Sequence, residues 1–291
     1  MFVQTNSVRA VKEYIKNRLI EHFSESEIRS ITNTAICERL KIDYSDLISA
    51  NDQLLSESDL LYFRGIVKRL LVNEPFQYII GHSEFYGLNI KSDKRALIPR
   101  PETEELVEWM KETFTNQQNL KLVDICTGTG CIALALKSIF NNSEVIGSDY
   151  SKEAIELAKE NALALNLAVD FLEFDALTNS AYPFKENEFD AIVSNPPYIP
   201  EVDKLEMSQN VLEFEPHMAL FVENDSPIIF YQKIAENALR YLKPNGYLFF
   251  EIHERFAKEV LDDLIQKGFV NCEVKKDLQG KDRMVKAQKK D

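Results

Sequence analysis

The chain has 291 residues, of which 45% are hydrophobic and 28% are charged, and its formal net charge is −13. This composition is typical of a folded globular protein long enough for two domains. No apolar run is long enough to span a membrane, and the first nine residues lack the apolar core of a signal peptide. We therefore expect a cytoplasmic protein without a membrane segment. The negative charge disfavours binding to bulk nucleic acid.

The cysteines and the basic residues point to no metal or nucleic-acid site. Four cysteines occur, without a Cys-x-x-Cys pair and without a histidine at metal-ligand spacing, so we expect neither a disulfide framework nor a bound metal. The one concentration of positive charge, near the C-terminus, is interpreted as a solvated edge and tail. Its members are Lys275, Lys276, Lys281, Arg283, Lys286, Lys289 and Lys290.

The first 74 residues have the pattern of a small all-helical domain. Apolar residues recur at helical spacing in two stretches, and shorter helices are predicted between them. The predicted helices lie around Val8–Leu19, Thr32–Leu40, Tyr44–Ala50 and Leu60–Leu71. Ser24 and Ser56 are suited to cap helix N-termini. Because no catalytic set occurs here, residues 1–74 are interpreted as a substrate-recognition domain, with packing support as the alternative.

The remainder of the chain predicts an α/β fold. Residues 75–100 form a linker whose apolar residues, punctuated by Gly81 and Gly87, predict a β-hairpin. Over residues 101–291, strands alternate with helices, which predicts a doubly wound, seven-stranded sheet with helices on both faces. The predicted strands are Leu120–Asp124, Glu144–Asp149, Phe171–Phe174, Phe189–Ser194, Tyr247–Ile252, Phe269–Lys275 and a last, edge strand, Met284–Ala287.

A glycine-rich turn, 126–130, follows the first strand of this sheet. Its glycines let backbone N–H groups approach a ligand at a helix N-terminus. Asp149 ends the second strand, where a carboxylate can bind ribose hydroxyls, and Asp175 ends the third, near where an adenine amine would lie. Gly128-x-Gly130-x-x-Ala133 also fits the dinucleotide fingerprint, so an oxidoreductase remains an alternative. Asp124, before the turn, favours a ligand with an ammonium group, although an aspartate here also caps turns.

Asn195-Pro196-Pro197-Tyr198 directly follows a buried strand. The prolines fix the backbone, so Asn195 is held at the carboxyl end of the strand, where α/β sheets bind ligands. The Asn195 side-chain carbonyl and the Pro196 backbone carbonyl offer two acceptors, and Tyr198 adds an aromatic face. This arrangement suits a planar group carrying an –NH₂, either a carboxamide or the exocyclic amine of a base. The alternative is a strand-ending turn, because Asn-Pro often begins one.

Together these motifs resemble class I S-adenosylmethionine-dependent methyltransferases and, within them, the release-factor glutamine methyltransferases of the PrmC/HemK family. The resemblance covers residues 74 to 287. Its motifs are Glu74-Pro75-x-Gln77-Tyr78-Ile79-x-Gly81, Glu84-Phe85-Tyr86-Gly87-Leu88, Leu97-Ile98-Pro99-Arg100-Pro101-Glu102-Thr103-Glu104, Val193 to Pro200, Glu215-Pro216-x-x-Ala219-Leu220 and Asp277-Leu278-x-Gly280-x-Asp282-Arg283. The Arg100–Thr103 stretch favours the release-factor branch over the ribosomal-protein glutamine methyltransferases, which carry Arg-Ser-Pro there.

The resemblance implies methylation of the side-chain amide nitrogen of the glutamine in the Gly-Gly-Gln motif of class I peptide-chain release factors, by a monomer with no nucleic-acid substrate and no metal. It implies catalytic roles for Asn195, Pro196 and Tyr198, joined by Pro197 in substrate binding. The implied S-adenosylmethionine-binding residues are Asp124, Cys126, Thr127, Gly128, Thr129, Gly130, Asp149, Asp175, Ala176 and Asn195. An adenine-specific DNA or RNA methyltransferase, which would apply the same clamp to a flipped base, remains open.

Three positions depart from the family pattern. Phe221–Ser226 stands where a Gly-Gly-x-Asp-Gly turn is usual, and His253 stands where a glycine usually follows Glu251-Ile252. Cys126 stands in place of a common glycine. All three lie in loops around the predicted site, so we expect the cofactor contacts there to differ.

Overall fold

The computed structural model describes residues 3 and 5–291, which form two compact units. The first unit comprises the described residues up to Gly81 together with Gln209–Phe214. The second comprises His82–Ser208 and Glu215–Asp291. In the part of the chain that the structure describes, no helix is both long and apolar enough to cross a membrane.

The first unit is helical and has a hydrophobic core of its own. Its helices are Val8–Leu19, Glu25–Leu40, Glu57–Leu70, Phe76–Ile80 and Gln209–Phe214. The predicted apolar stripe is confirmed, since Val8, Val11, Ile15 and Leu19 are all fully buried. The predicted caps are also confirmed: Ser24 and Ser56 each begin a helix with a reciprocal capping box.

Two predicted helices of this unit were wrong in extent. Thr32–Leu40 is only the second part of Glu25–Leu40, because the capping box at Ser24 starts the helix a full turn and more earlier. The early residues of that helix are mostly exposed and polar, but Ile28 and Ile31 are buried and continue the apolar stripe to Ala35. The prediction overlooked these two positions. The stretch predicted as Tyr44–Ala50 is instead a pair of short 3-10 turns, Tyr44–Leu47 and Ser49–Asp52.

The second unit begins with the predicted hairpin. Strands β1, His82–Phe85, and β2, Leu88–Lys91, pair antiparallel. The two residues between them, Tyr86 and Gly87, have φ values of 50° and 74°. Two left-handed residues in a two-residue loop match the right-handed twist of the flanking strands. The hairpin is therefore confirmed.

The other strands of the described chain are β3 Lys121–Ile125, β4 Glu144–Asp149, β5 Asp170–Glu173, β6 Phe189–Ser194, β7 Ile199–Pro200, β8 Phe221–Val222, β9 Leu242–Glu251, β10 Val270–Lys276 and β11 Asp282–Gln288. Seven of them form the central sheet of this unit, in the order β10-β11-β9-β6-β3-β4-β5. Strands β9, β6, β3, β4 and β5 run parallel, and β11 runs antiparallel to both of its neighbours. Strands β7 and β8 form a separate parallel pair.

Helices cover both faces of this sheet, as predicted. They are Pro101–Thr113, Cys131–Ile139, Lys152–Leu165, Ile229–Tyr241 and Ala257–Gln266. The first three pack into one hydrophobic cluster and the last two into another. Strand β3 divides its side chains between the two clusters, Leu122 toward one and Val123 toward the other. The predicted doubly wound α/β fold is confirmed.

The structure corrects the last strands of the sheet. Met284–Ala287 was predicted to lie at the edge, but β11 is inserted between β9 and β10. The physical reason is burial: Met284, Val285 and Ala287 are fully buried, whereas β10 is largely exposed and tolerates an edge. In addition, β9 begins at Leu242 rather than Tyr247, so that Pro244 lies inside it beside an irregularity in its pairing with β6.

Candidate active site

A cavity of ≈ 520 Å³ opens at the carboxyl ends of β3, β4, β5 and β6. Because parallel strands present their carboxyl ends at one edge of a sheet, the turns that follow them meet there. The predicted site residues that line this cavity are Cys126, Thr127, Gly128, Thr129, Asp149, Asp175, Ala176, Asn195 and Pro197. The other predicted site residues, Asp124, Gly130, Pro196 and Tyr198, lie within two positions of these in sequence but do not line the cavity.

The glycine-rich turn after β3 folds back on itself. Gly128 and Gly130 have φ values of 55° and 83°. The Gly130 N–H donates to the Thr127 carbonyl at 2.8 Å, and the Gly128 N–H donates to Asp149 Oδ2 at 2.9 Å. The sequence predicts that these N–H groups face a ligand. The structure instead uses the Gly128 N–H to fix the Asp149 carboxylate on the cavity wall.

Asp149 presents a half-buried carboxylate to the cavity. Its Oδ1 accepts a hydrogen bond from the Ser151 N–H at 2.9 Å, while its Oδ2 accepts the one from Gly128. Burial raises the pKa of Asp149. Each carboxylate oxygen has a second lone pair, so the side chain keeps acceptor capacity for two hydroxyl groups.

Asp124 lies behind the cavity wall, at the end of β3, and is fully buried. Its Oδ2 accepts a hydrogen bond from Thr127 Oγ1 at 2.5 Å. Its Oδ1 makes no hydrogen bond of ordinary geometry among the described residues, although the Ala133 N–H lies near enough to hold the pKa down in part. Burial outweighs these effects and raises the pKa of Asp124 to about 7. A buried carboxylate without a full set of partners suits a nearby cation.

The turn after β5 adds an aromatic wall and a carboxylate. Asp175 Oδ1 accepts a hydrogen bond from the Leu177 N–H at 2.8 Å, and the Ala176 carbonyl accepts one from Tyr182 at 2.5 Å. These bonds hold the turn against the cavity, where Phe174 also lines the wall. A ring beside a carboxylate suits a purine and its amine. Phe174 directly precedes Asp175, but the sequence pattern predicts no role for it beyond the end of a strand.

Asn195 is held by a chain of buried side chains. Its Nδ2 donates to Thr103 Oγ1 at 3.2 Å, and Thr103 Oγ1 donates to Glu251 Oε2 at 2.6 Å. The Tyr198 hydroxyl donates to Glu251 Oε1 at 3.1 Å. Burial raises the pKa of both Glu251 and Tyr198. Thr103 belongs to the motif Leu97–Glu104, and Glu251 lies two residues before the departure at His253, but the sequence predicted no role for either. Only their position in the fold reveals one.

A second buried carboxylate fixes the other rim of the cavity. Glu215 accepts hydrogen bonds from the Ile98 N–H at 3.0 Å and from Arg100 Nη2 at 2.6 Å. The Glu215 side chain is almost fully buried. It therefore ties the end of the linker to the segment 216–222, several residues of which line the cavity.

These groups fit S-adenosylmethionine. Asp149 would hold the ribose hydroxyls, Asp175 and Phe174 the adenine, and the incompletely bonded Asp124 would offer negative charge to the ammonium end from behind the glycine-rich turn. Among the described residues, no group of three or more His, Cys, Asp or Glu is arranged to hold a metal ion.

Comparison with known proteins gives the same result. Residues 116–290 match the family model of a methyltransferase domain, and residues 12–81 match that of the PrmC N-terminal domain. The chain is 41% identical over 267 residues to a release factor glutamine methyltransferase of Flavobacterium psychrophilum, covering 91% of this chain and 93% of that protein. It is 36% identical over 277 residues to the protein of the same name from Bacteroides thetaiotaomicron, covering 95% and 98%.

This chain belongs to the release factor glutamine methyltransferase family. It is an S-adenosylmethionine-dependent methyltransferase, which confirms the predicted enzyme class and cofactor. A methyltransferase from Pyrococcus furiosus is similar in fold, with a TM-score of 0.51 at 20% sequence identity, covering 77% of this chain and 98% of that one.

The structure shows the surroundings of the three departures from the family pattern, and nothing in it explains the cysteine at position 126. Cys126 has a φ of 63°, a left-handed conformation that favours the glycine usual in the family. Phe221 belongs to β8, which pairs with β7, and Lys204 Nζ lies 4.5 Å from the centre of its ring. His253 packs edge-on against Tyr198, with ring centres 6.0 Å apart. The last two departures therefore lie at short strands and rings next to the Asn195–Tyr198 segment.

Proposed function

We propose that this protein transfers a methyl group from S-adenosylmethionine to the side-chain amide nitrogen of the glutamine in the Gly-Gly-Gln motif of class I peptide-chain release factors. One observation carries the proposal: Asp149 and Asp175, which are suited to bind the ribose and adenine of the cofactor, line the same cavity as Asn195. The reaction needs these two sets of groups in one enclosed space, because the methyl donor and the acceptor nitrogen must meet.

Asn195 and Pro196 would select and orient the amide. The Asn195 Nδ2 is engaged with Thr103, which leaves its Oδ1 as an acceptor for one N–H of the substrate. The Pro196 carbonyl would accept the other N–H, and Tyr198 would pack near the amide plane. A carboxylate in the same place would be repelled by two oxygen acceptors, so the pair favours glutamine over glutamate.

The two acceptors also assist the chemical step. S-adenosylmethionine supplies an already electrophilic methyl group. An amide nitrogen is a weak nucleophile, and it gains positive charge as it is methylated. Hydrogen bonds from its N–H groups to Asn195 and Pro196 strengthen as that charge grows, so they stabilise the transition state more than the ground state. No strong general base is needed, because the methylated amide is very acidic.

The helical unit would recognise the protein substrate. It contains its own core, and its described residues form no polar cluster comparable to the hydrogen-bonded Asn195–Thr103–Glu251 set in the second unit. We assign residues 1–74 to this recognition role, residues 75–100 to the linker and residues 101–291 to methyl transfer. The protein would act as a monomer in the cytoplasm.

A nucleic-acid substrate is disfavoured by the state of the basic C-terminal stretch. Most of its cations are paired with carboxylates, for example Lys275 with Glu112 at 3.1 Å and Arg283 with Asp277 at 3.1 Å. Lys276, Lys281 and Lys286 are paired in the same way. Little free positive charge is left for phosphates, so binding to DNA or RNA gains little from counterion release.

The test is methyl transfer from labelled S-adenosylmethionine to a purified, unmethylated release factor, beside a factor whose Gly-Gly-Gln glutamine is changed to alanine. We expect label on the first factor only. Label on DNA or RNA but on neither factor would assign the clamp to a base amine. Label on a ribosomal protein, and on neither factor, would identify the enzyme as a ribosomal-protein glutamine methyltransferase.

In the same assay we expect Asn195→Ala to lower turnover about 10²-fold or more, because one acceptor for the substrate amide is lost. Its affinity for S-adenosylmethionine, measured by calorimetry, should stay close to that of the wild type. Full turnover with weakened cofactor binding would contradict the assigned role.

A further inference from the structure

A buried carboxylate stands at the end of the hydrogen-bond chain that holds Asn195. Thr103 and Glu251 are each 2% exposed, so this chain is shielded from water. Thr103 lies in the first turn of the helix Pro101–Thr113, and Glu251 is the last residue of β9. The hydrogen bonds from Asn195 to Thr103 and from Thr103 to Glu251 therefore join this helix and the end of β9 to the segment that follows β6.

The carboxylate gives this chain a direction. An ionised carboxylate can only accept hydrogen bonds, so the single Thr103 hydroxyl proton must point to Glu251. The short distance of 2.6 Å between Thr103 Oγ1 and Glu251 Oε2 agrees with a charge-assisted bond. The Thr103 oxygen can then only accept from Asn195, which requires the Asn195 NH₂ group on that side.

Hydrogen bonds to both of its oxygens stabilise the ionised form of Glu251 against the effect of burial. The Tyr198 hydroxyl donates to its other oxygen, so both carboxylate oxygens accept a hydrogen bond. Burial raises the pKa of Glu251 and the charge of Glu102 adds to this rise, whereas the two hydrogen bonds and the positive charge of Arg283 oppose it. Arg283 is itself held in place by Asp277 at 3.1 Å.

We propose that Glu251, acting through Thr103, is the positioning residue that sets which face of the Asn195 amide meets the substrate. With Glu251 as a compulsory acceptor, the Asn195 Nδ2 is turned away and Oδ1 is presented to the substrate. A flipped Asn195 would present N–H donors to the N–H groups of a glutamine amide, and the two would repel. The inference rests on the proposed function, since it explains how the same site distinguishes an amide from a carboxylate.

The first test is Glu251→Gln, an isosteric change that removes the compulsory acceptor. A glutamine can donate to Thr103, so Thr103 can donate to Asn195 and both amide orientations become available. We expect kcat on the release factor to fall about 10-fold or more while the dissociation constant of S-adenosylmethionine and the melting temperature change little. Unchanged kcat, or a loss confined to cofactor affinity, would overturn the proposal.

Two changes at Thr103 separate the hydroxyl from the packing. Thr103→Val keeps the shape but removes the link, so we expect it to lose kcat to the same extent as Glu251→Gln. Thr103→Ser keeps the hydroxyl and should retain kcat to within about threefold. If the serine variant is as impaired as the valine variant, the hydroxyl is not the link and the proposal fails.

The preference for glutamine over glutamate separates a positioning role of Glu251 from a purely structural one, because a loss of structural support alone would leave this preference unchanged. A release factor with glutamate in place of the target glutamine is used as a competitive inhibitor, and its inhibition constant is divided by the KM of the normal factor. The wild-type enzyme should bind the glutamate factor poorly, so the ratio should be high. In Glu251→Gln the ratio should fall about fivefold, because a flipped Asn195 can donate a hydrogen bond to a carboxylate.

The outcomes of this comparison are distinct. A lower kcat with an unchanged ratio would mean that Glu251 supports the fold alone, which overturns the inference but leaves the proposed function intact. Absence of glutamine methylation by the wild-type enzyme would remove the proposed function and the inference with it.

Discussion

Gly147, in the middle of β4, has no room for a side chain. A Cβ atom there would lie 2.6 Å from Phe171 Cε1 and 2.9 Å from Thr127 Oγ1. Phe171 belongs to the hydrophobic core, and Thr127 belongs to the turn on the cavity wall. A side chain at position 147 would therefore disturb both the packing of the core and the turn that shapes the cofactor site.

We expect Gly147→Ala to lower the free energy of unfolding by about 1–3 kcal/mol, because Phe171 must move within a packed core. Affinity for S-adenosylmethionine should fall as well, since Thr127 is displaced. Urea unfolding and calorimetry measure the two effects. The control is Gly65→Ala in the helix Glu57–Leu70, where a Cβ meets nothing within 4 Å and should stabilise by about 0.5–1 kcal/mol. Equal effects of the two changes would contradict this reasoning.

Asp124 makes stability depend on pH. Its pKa is raised from 3.8 to about 7 by burial, so between about pH 4 and pH 7 the folded state binds a proton that the unfolded state has released. The free energy of unfolding therefore contains a contribution that falls as the pH rises through this range.

Asp124→Asn cannot ionise, so we expect the variant to lose this contribution. Its stability relative to the wild type should rise steadily from pH 4 to pH 7 and then level off. Urea unfolding of both proteins across this range measures the difference, and the contributions of groups that do not interact with Asp124 cancel. Parallel stability curves would show that Asp124 stays ionised in the folded protein.

At the scale of elements, local signals placed the starts of helices well. Ser56 was predicted as a cap, and its hydroxyl accepts from the Asp59 N–H at 3.1 Å, while Asp59 accepts from the Ser56 N–H at 3.0 Å. These bonds satisfy two of the N–H groups that a helix start leaves open. They involve residues three apart in the chain, so the sequence carries the whole motif.

We expect Ser56→Ala to lower the free energy of unfolding of the helical unit by about 1 kcal/mol, because the cap is lost. Ser30→Ala is the matched control, since Ser30 is an exposed residue inside the helix Glu25–Leu40. There the same substitution should be neutral or slightly stabilising, as alanine favours a helix. Thermal unfolding followed by circular dichroism compares the two, and a larger loss at Ser30 would contradict the capping argument.

Such local signals do not predict the order of the strands in the sheet. The sequence predicts a strand at Met284–Ala287 but not that it lies between β9 and β10. Its insertion depends on antiparallel pairing with β9, whose residues precede it by more than 30 positions. Apolar residues such as Val285 hint at burial, but a short apolar run does not specify its neighbours.

At the scale of the whole molecule, the cavity is lined entirely by residues of the second unit. A ligand that binds only the folded state stabilises it by RT ln(1 + [L]/Kd), or about 2.7 kcal/mol at a concentration 100 times Kd. We therefore expect saturating S-adenosylmethionine to slow amide hydrogen exchange mainly in β3, β4 and the turns after them. Exchange in the helices Val8–Leu19 and Glu57–Leu70 should change little. Equal protection in both units would show that the cofactor acts beyond its cavity.

The sequence by itself determined the α/β fold, the helical N-terminal unit, the family and the cofactor. These features depend on local patterns: hydrophobic periodicity, capping serines, the glycine-rich turn and the run from Asn195 to Tyr198. The tertiary structure alone decided how Asn195 is held. Asn195 and Glu251 lie 92 and 148 positions after Thr103 along the chain. Only the packing of a helix on a parallel sheet brings the three side chains within hydrogen-bonding distance.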